Sequence, residues 1–231
     1  YGLTETSPVI AVNTLDHNRL GSVGRPLPGM ETRIAEDGEI LTRGPHVFQG
    51  YFNKPQETAA AFTDEYSEER WFKTGDIGLF DPDGFLFITD RKKDLIKTSG
   101  GKYVAPQMIE GMITQSEYVE QAVVIGDKRK YVSALIVPDF ERLRAWAKEQ
   151  GISTSDKREL LADRRVVDMM KADVNRLTRE LADYEKVKRI GLLAEEFSID
   201  GGELTPTLKV KRRVVEEKYG ELIESLYSGS E

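Results

Sequence analysis

The chain has 231 residues, with 33 Lys and Arg against 40 Asp and Glu and a formal net charge of −7; this balance excludes a general nucleic-acid binder while permitting a local basic patch. It contains no cysteine and only two histidines, His17 and His46, which excludes disulfides, thiolate metal sites, cysteine nucleophiles and a His-rich metal centre. Charged residues at 32% and hydrophobic residues at 39% describe a globular chain long enough to bury about 70% of its extended surface.

Residues 1 to about 92 read as β-rich. Segments 30–34 and 39–43 flank Asp37-Gly38, a strong hairpin turn signal. A short helix is expected at 55–62, where Ala59, Ala60 and Ala61 sit behind Pro55. A second hairpin is expected from 78–80 and 85–88 around Asp81-Pro82-Asp83-Gly84. Short strands between Gly and Pro turns predict a distorted barrel or sheet. Beyond Asp90-Arg91-Lys92-Lys93-Asp94 the pattern changes. A helix is expected at 106–115, strands at 122–125 and 132–137, and a helix at 140–150 ending at Gly151. Residues 156–184 read as a long helical stretch with at most one break, opened by Asp156 and Glu159 at capping-box spacing. A strand at 190–194 and a terminal helix at 212–226 complete a mixed α/β half. The fold class is therefore α+β, with two domains, 1–92 and 93–231. No apolar run approaches the roughly 18 residues of a membrane span, and no leader segment is visible. The chain opens on Tyr1 rather than Met, which reads as a piece of something longer.

Four polar segments, three of them containing glycine, can carry chemistry. Tyr1-Gly2-Leu3-Thr4-Glu5-Thr6 offers an aromatic ring for a purine, hydroxyls for phosphate and a carboxylate for Mg²⁺; by residue types alone it reads as a frayed terminus. Trp71-Phe72-Lys73-Thr74-Gly75-Asp76 places a carboxylate after a glycine, fit to accept from ribose hydroxyls, or is an ordinary turn. Residues 90–102 end in Gly100-Gly101-Lys102. They are not a phosphate-binding P-loop, because Ile96 stands where the first glycine is required and Tyr103 follows Lys102. They read as a charged hairpin, or as a basic hinge beside a backbone that a ligand can approach closely. Leu204-Thr205-Pro206-Thr207-Leu208-Lys209 sets a lysine at the end of a proline-stiffened loop, a mobile point charge for an anion or a basic entry to the last helix.

The order of these segments is more specific than any one of them. Tyr1-Gly2-Leu3-Thr4-Glu5, then Gly38-Glu39-Ile40-Leu41-Thr42-Arg43-Gly44-Pro45 with Gly50-Tyr51, then Thr74-Gly75-Asp76, then Asp90-Arg91-Lys92-Lys93-Asp94 with Ile96-Lys97, then Pro206-Thr207-Leu208-Lys209 resembles the adenylate-forming superfamily. The stretch from Lys93 to Pro106 and the ending Leu204-Thr205-Pro206-Thr207-Leu208-Lys209 are most similar to long-chain fatty acid–CoA ligases. The resemblance implies the tail of a large N-terminal domain over 1–92 and a mobile C-terminal domain over 93–231. It implies ATP, a fatty acid and CoA as substrates, with Mg²⁺, and an acyl-adenylate that passes its acyl group to the CoA thiol. By motif position, Tyr1 would stack on adenine, Thr4 would contact phosphate and Glu5 would bind Mg²⁺. Asp76 would hold the ribose, with Arg91 beside it. Lys93 would be the hinge, Gly100 and Gly101 would line the pantetheine path, and Lys209 would be the catalytic lysine of adenylation.

Leu208 departs from the pattern, since many relatives have glycine before the catalytic lysine. The resemblance also places the phosphate loop and most of the acyl pocket before residue 1, so residues 1–231 alone are expected to be inactive, with the first half incompletely covered. A cytoplasmic protein without nucleic-acid partners is implied; peripheral membrane contact, chain length of the acid and oligomeric state are left open. Two other readings remain at this stage. One is a different adenylating ligase, which loads a carrier protein or takes aryl or short acids. The other is a non-catalytic nucleotide-binding or interaction module, against which the joint presence of Glu5, Asp76 and Lys209 argues.

Overall fold

The computed structural model describes residues 1–63 and 70–228. The chain divides into two compact units, Tyr1–Asp94 and Leu95–Glu231.

In the first unit, β1 (Ala11–Val12) and β2 (Arg25–Pro26) form a small ladder, and β3 (Glu31–Ile34), β4 (Glu39–Arg43), β5 (Phe72–Phe80) and β6 (Leu86–Arg91) form an antiparallel sheet in that order. The Asp37-Gly38 turn joins β3 to β4 as expected, with Gly38 at φ +85°. Register shifts in both the β4–β5 and β5–β6 ladders curl the sheet. Ile10, Ala11, Ile40 and Leu86 form its buried core. Helix α1 (Pro55–Ala60) is two residues shorter than expected. A cluster of Phe48, Phe62 and Phe72 lies beyond it, with ring centroids 5.6–5.8 Å apart. The Trp71 ring carries two guanidinium groups, Arg33 at 4.4 Å and Arg43 at 4.7 Å.

The second unit opens with the hairpin β7 (Ile96–Lys97) and β8 (Tyr103–Val104), then α2 (Pro106–Ile113), β9 (Val119–Ile125), β10 (Val132–Pro138), α3 (Phe140–Glu149), α4 (Lys157–Ala162), α5 (Arg164–Leu177), β11 (Val187–Leu192), α6 (Arg212–Lys218) and α7 (Gly220–Ser228). The sheet order is β11-β10-β9; β9 pairs with β10 antiparallel and β11 pairs with β10 parallel. All seven residues of β10 are buried, because the sheet is covered on both faces. Ala134 and Ile136 pack with Ile109, Ile113, Leu143, Val166 and Met170. The alternating Leu135 and Val137 pack with Phe197, Val215 and Ile223.

Several expected boundaries move. The stretch 156–184 breaks at Asp163, whose carboxylate caps α5 by accepting from Arg165 N–H at 2.9 Å, and ends at Leu177, where the buried Thr178 hydroxyl bonds back to Val174 O at 2.8 Å. Asp156 caps α4, accepting from Arg158 and Glu159 N–H, but the reciprocal half of the capping box is absent: Glu159 accepts instead from the Thr154 hydroxyl at 2.7 Å. The strand expected at 190–194 is Val187–Leu192, and the terminal helix is two helices that meet at Tyr219.

Candidate nucleotide-binding site

Thr74-Gly75-Asp76 is neither a turn nor a loop. It is a bulge inside β5: the register passes from Glu39↔Ile77 to Leu41↔Lys73, so these three residues face Ile40 alone. Gly75 takes φ +72°, a region a side chain would resist. The Thr74 hydroxyl donates to Ile40 O at 2.8 Å, and Asp76 N–H donates to the Thr74 hydroxyl at 3.1 Å.

The bulge delivers Asp76 to a buried position, 3% exposed. Its Oδ1 receives Arg91 Nε at 2.6 Å from the paired strand β6, and its Oδ2 receives the Tyr1 hydroxyl at 2.6 Å. Burial, and then the bond to Asp76, push the Tyr1 phenol above its ordinary range, so it remains a donor. Each carboxylate oxygen keeps a second lone-pair site for a hydroxyl.

Thr4 and Glu5 lie on a 3₁₀ turn, Thr4–Thr6. The buried Thr6 fastens this turn, its hydroxyl meeting Leu3 O at 3.0 Å and Pro8 O at 2.9 Å. Thr4 is exposed and Glu5 half-buried. Glu5 Oε1 accepts from the Tyr51 hydroxyl at 2.9 Å, and Glu5 O accepts Phe48 N–H at 2.8 Å. Burial first, then Glu5, raises the Tyr51 phenol. Lys93 is exposed on a second 3₁₀ turn, Lys92–Asp94.

In the second unit, Gly100 and Gly101 are exposed at the tip of the β7–β8 hairpin. Thr98 N–H donates to Lys102 O at 2.9 Å and Gly101 N–H to Thr98 O at 2.9 Å, with Gly101 at φ +77°. Lys209 is exposed on a loop closed by a Leu204↔Val210 bridge. Leu208 N–H donates to Thr205 O and Thr205 N–H to Lys209 O, both at 2.8 Å; Leu208 takes φ +60°. Below this loop, the buried Glu203 carboxylate pairs with Lys218, and Lys211 N–H donates to Glu203 O at 2.7 Å. Burial opposes ionisation of Glu203, but the ion pair and backbone donors outweigh it and hold the carboxyl below its ordinary range. Arg212, at the head of α6, is fixed to Glu110 Oε1 at 2.7 Å and Val124 O at 2.6 Å.

Residues 93–231 match the family described as AMP-binding enzyme C-terminal domain, and residues 1–52 match the AMP-binding enzyme family. The chain belongs to the adenylate-forming, AMP-binding enzyme family. Among curated relatives, it is 43% identical to long-chain-fatty-acid–CoA ligase FadD15 of Mycobacterium bovis, an alignment that covers 99% of this chain and 37% of the relative. It is 38% identical to human long-chain-fatty-acid–CoA ligase 1, covering 99% and 34%. The A-PCP didomain of a carboxylic acid reductase from Segniliparus rugosus, solved in complex with AMP, superposes with a TM-score of 0.67 at 25% identity, covering 99% of this chain and 30% of that one. The chain thus spans little more than a third of the length of the curated relatives it matches.

Of the expected site residues, Tyr1, Asp76 and Arg91 converge in one hydrogen-bonded cluster of the first unit, which also holds Thr4, Glu5 and Lys93. Gly100, Gly101 and Lys209 belong to the second unit. Sequence reasoning overlooked Tyr51 as the partner of Glu5; its only signal was its place in the Gly50-Tyr51 motif. It also overlooked Glu203 as the anchor of the Lys209 loop. Among the described residues no group of three or more acidic or histidine side chains is arranged to hold a metal, and no helix is long and apolar enough to cross a membrane.

Proposed function

We propose that the protein carrying this chain is an AMP-forming acid–thiol ligase that joins a long-chain fatty acid to CoA. The cluster at Asp76 carries this reading. A carboxylate presented by a bulge, oriented by Arg91 and Tyr1 and left with free lone pairs, is built to receive paired hydroxyls such as those of a ribose. The relatives, named as long-chain-fatty-acid–CoA ligases, and the AMP complex of the reductase domain support the same choice.

In the first half-reaction an oxygen of the fatty carboxylate bonds to the α-phosphorus of ATP, and the bond to the bridging oxygen breaks, releasing pyrophosphate. In the second, the CoA thiol gives up its proton to solvent, its sulfur bonds to the acyl carbon, and the bond from that carbon to the phosphate oxygen of AMP breaks, releasing AMP. The first step brings like charges together, so it needs cations near the phosphates. Lys209, on a hinged unit, supplies one for adenylation and withdraws for transfer, when Gly100 and Gly101 come to the pantetheine. Glu5 suits Mg²⁺: Tyr51 holds only Oε1, and Mg²⁺ is commonly bound through one or two carboxylates together with substrate phosphates. Bound there, the ion would neutralise phosphate charge.

Two half-reactions measured separately in the full-length protein test this. Acid-dependent ATP–pyrophosphate exchange should be strongest with long acyl chains. Lys209→Ala should lower it about 10²–10³-fold, with a much smaller effect on transfer from supplied acyl-adenylate. Lys93→Pro, which fixes φ at the hinge, should spare exchange and impair transfer. Equal damage to both steps by Lys209→Ala would make it a structural lysine, and absence of acid-dependent exchange would refute the ligase reading.

A further inference from the structure

Glu39 opens β4 and is 5% exposed. Its carboxylate serves two segments that lie far apart in sequence. Oε1 accepts Gly75 N–H at 3.0 Å, and Oε2 accepts the Lys92 ammonium at 2.7 Å. Its own backbone is held at both ends, since Glu39 N–H donates to Asp37 Oδ1 at 3.2 Å and Ala35 N–H donates to Glu39 O at 2.9 Å.

Each partner is placed where small movements matter. Gly75 sits at the middle of the β5 bulge, at a φ few residues hold without support, and the next residue is Asp76. Lys92 is adjacent to Lys93 and is gripped twice, by Glu39 and by Asp37 Oδ2 at 2.7 Å. Hydrogen bonding to Asp37 and then to Glu39 raises the Lys92 ammonium above its ordinary range, so the clamp keeps its charge across the neutral range. A buried carboxylate that loses a cationic partner is strongly disfavoured, which makes this clamp hard to open.

We propose that Glu39 is a positioning residue that joins the nucleotide-binding bulge to the hinge. One oxygen sets Gly75, and through it Asp76. The other fixes Lys92 to the sheet, so the moving segment begins at Lys93 and no earlier. The inference rests on the roles proposed above for Asp76 and Lys93.

The two arms separate by substitution in the full-length protein. Glu39→Gln keeps an acceptor for Gly75 but removes the charge that holds Lys92. Lys92→Met breaks the same arm from the exposed side. Glu39→Leu breaks both. Glu39→Gln and Lys92→Met should each slow single-turnover transfer from preformed acyl-adenylate about tenfold more than they raise the KM for ATP. Combined, they should lose little beyond either alone. Glu39→Leu should in addition raise the KM for ATP about tenfold. Unchanged transfer in both Glu39→Gln and Lys92→Met would overturn the proposal, as would losses that simply add. If Glu39→Leu does not fold, those two variants still decide it. A wild-type protein without acid-dependent exchange would refute the ligase reading itself, whatever Glu39 does.

Discussion

Leu208 stands directly before Lys209 in a left-handed conformation, φ +60°, and is 68% exposed. The turn explains the conformation. Thr205 O accepts from Leu208 N–H, and Lys209 O accepts from Thr205 N–H, so the chain reverses within four residues and the residue after the turn must have positive φ. Leucine in that region costs about 1 kcal/mol. Leu208→Gly removes that cost, but loses about 0.5–1 kcal/mol to backbone entropy and about 0.5–1 kcal/mol from the part of the side chain that is covered. The three effects nearly cancel, so stability should stay within about 1 kcal/mol of the parent. Leu208→Val adds β-branching at positive φ and should fall about 1–2 kcal/mol below the glycine variant, with Leu208→Asn between them. Residues 95–231 contain both faces of a complete core, so as a separate chain they should unfold in one cooperative urea transition, and the series is measured there. In the full-length protein Leu208→Gly should slow adenylation several-fold through a looser Lys209, with little loss of stability. Equal stability of the valine and glycine variants would show that position 208 does not hold positive φ, and the account of this loop would fail.

The core of the second unit and the one buried histidine supply further tests. Leu135 is fully buried, and a methyl group added at Gly191 would come 2.9 Å from its Cδ2. Leu135→Ala should cost about 2–5 kcal/mol and Gly191→Ala about 1–3 kcal/mol; in the double variant the new methyl group enters the space vacated, so urea unfolding should show a combined loss clearly smaller than the sum. His46 is 6% exposed, and burial holds its pKa below the ordinary 6.5. The Thr42 hydroxyl donates to Glu31 O at 2.9 Å, so His46 Nε2 must donate to Thr42 Oγ1 at 3.0 Å; this leaves Nδ1 unprotonated and unpartnered. The folded form therefore refuses a proton that the unfolded chain accepts, and stability from this residue, complete above about pH 6.5, is lost as pH falls below it. Urea midpoints between pH 7.5 and 5.5 should fall less steeply in His46→Gln, whose amide can replace Nε2–H; an identical slope would refute the lowered pKa of His46.

The elements legible in the sequence were those with local causes. Asp37-Gly38 dictates a hairpin through a glycine at positive φ, and Asp156 caps the helix that follows it. What failed was governed from a distance. The strand expected from 190 starts at Val187: Lys188 and Arg189 are exposed there while Val187 and Gly191 are buried, and pairing with β10 sets the register. Thr-Gly-Asp reads as a turn until Glu39 and Ile40 are found holding it inside β5. The resemblance named Tyr1 and Asp76 separately, but no local pattern reveals a hydrogen bond across 75 positions. Nor could residue spacing show that Leu208 adopts the backbone shape glycine would supply.

Each compact unit holds one of the chain's two tryptophans. Trp71 lies under the guanidinium groups of Arg33 and Arg43, whereas Trp146, half-buried on α3, packs against the apolar core of the second unit. The two indoles thus sit in surroundings of contrasting polarity, and each fluorophore belongs to a single unit. With Trp71 changed to phenylalanine, emission excited selectively at tryptophan comes from the indole of the second unit; with Trp146 changed, it comes from that of the first. The chain carries a separate optical label for each of its halves without any added dye.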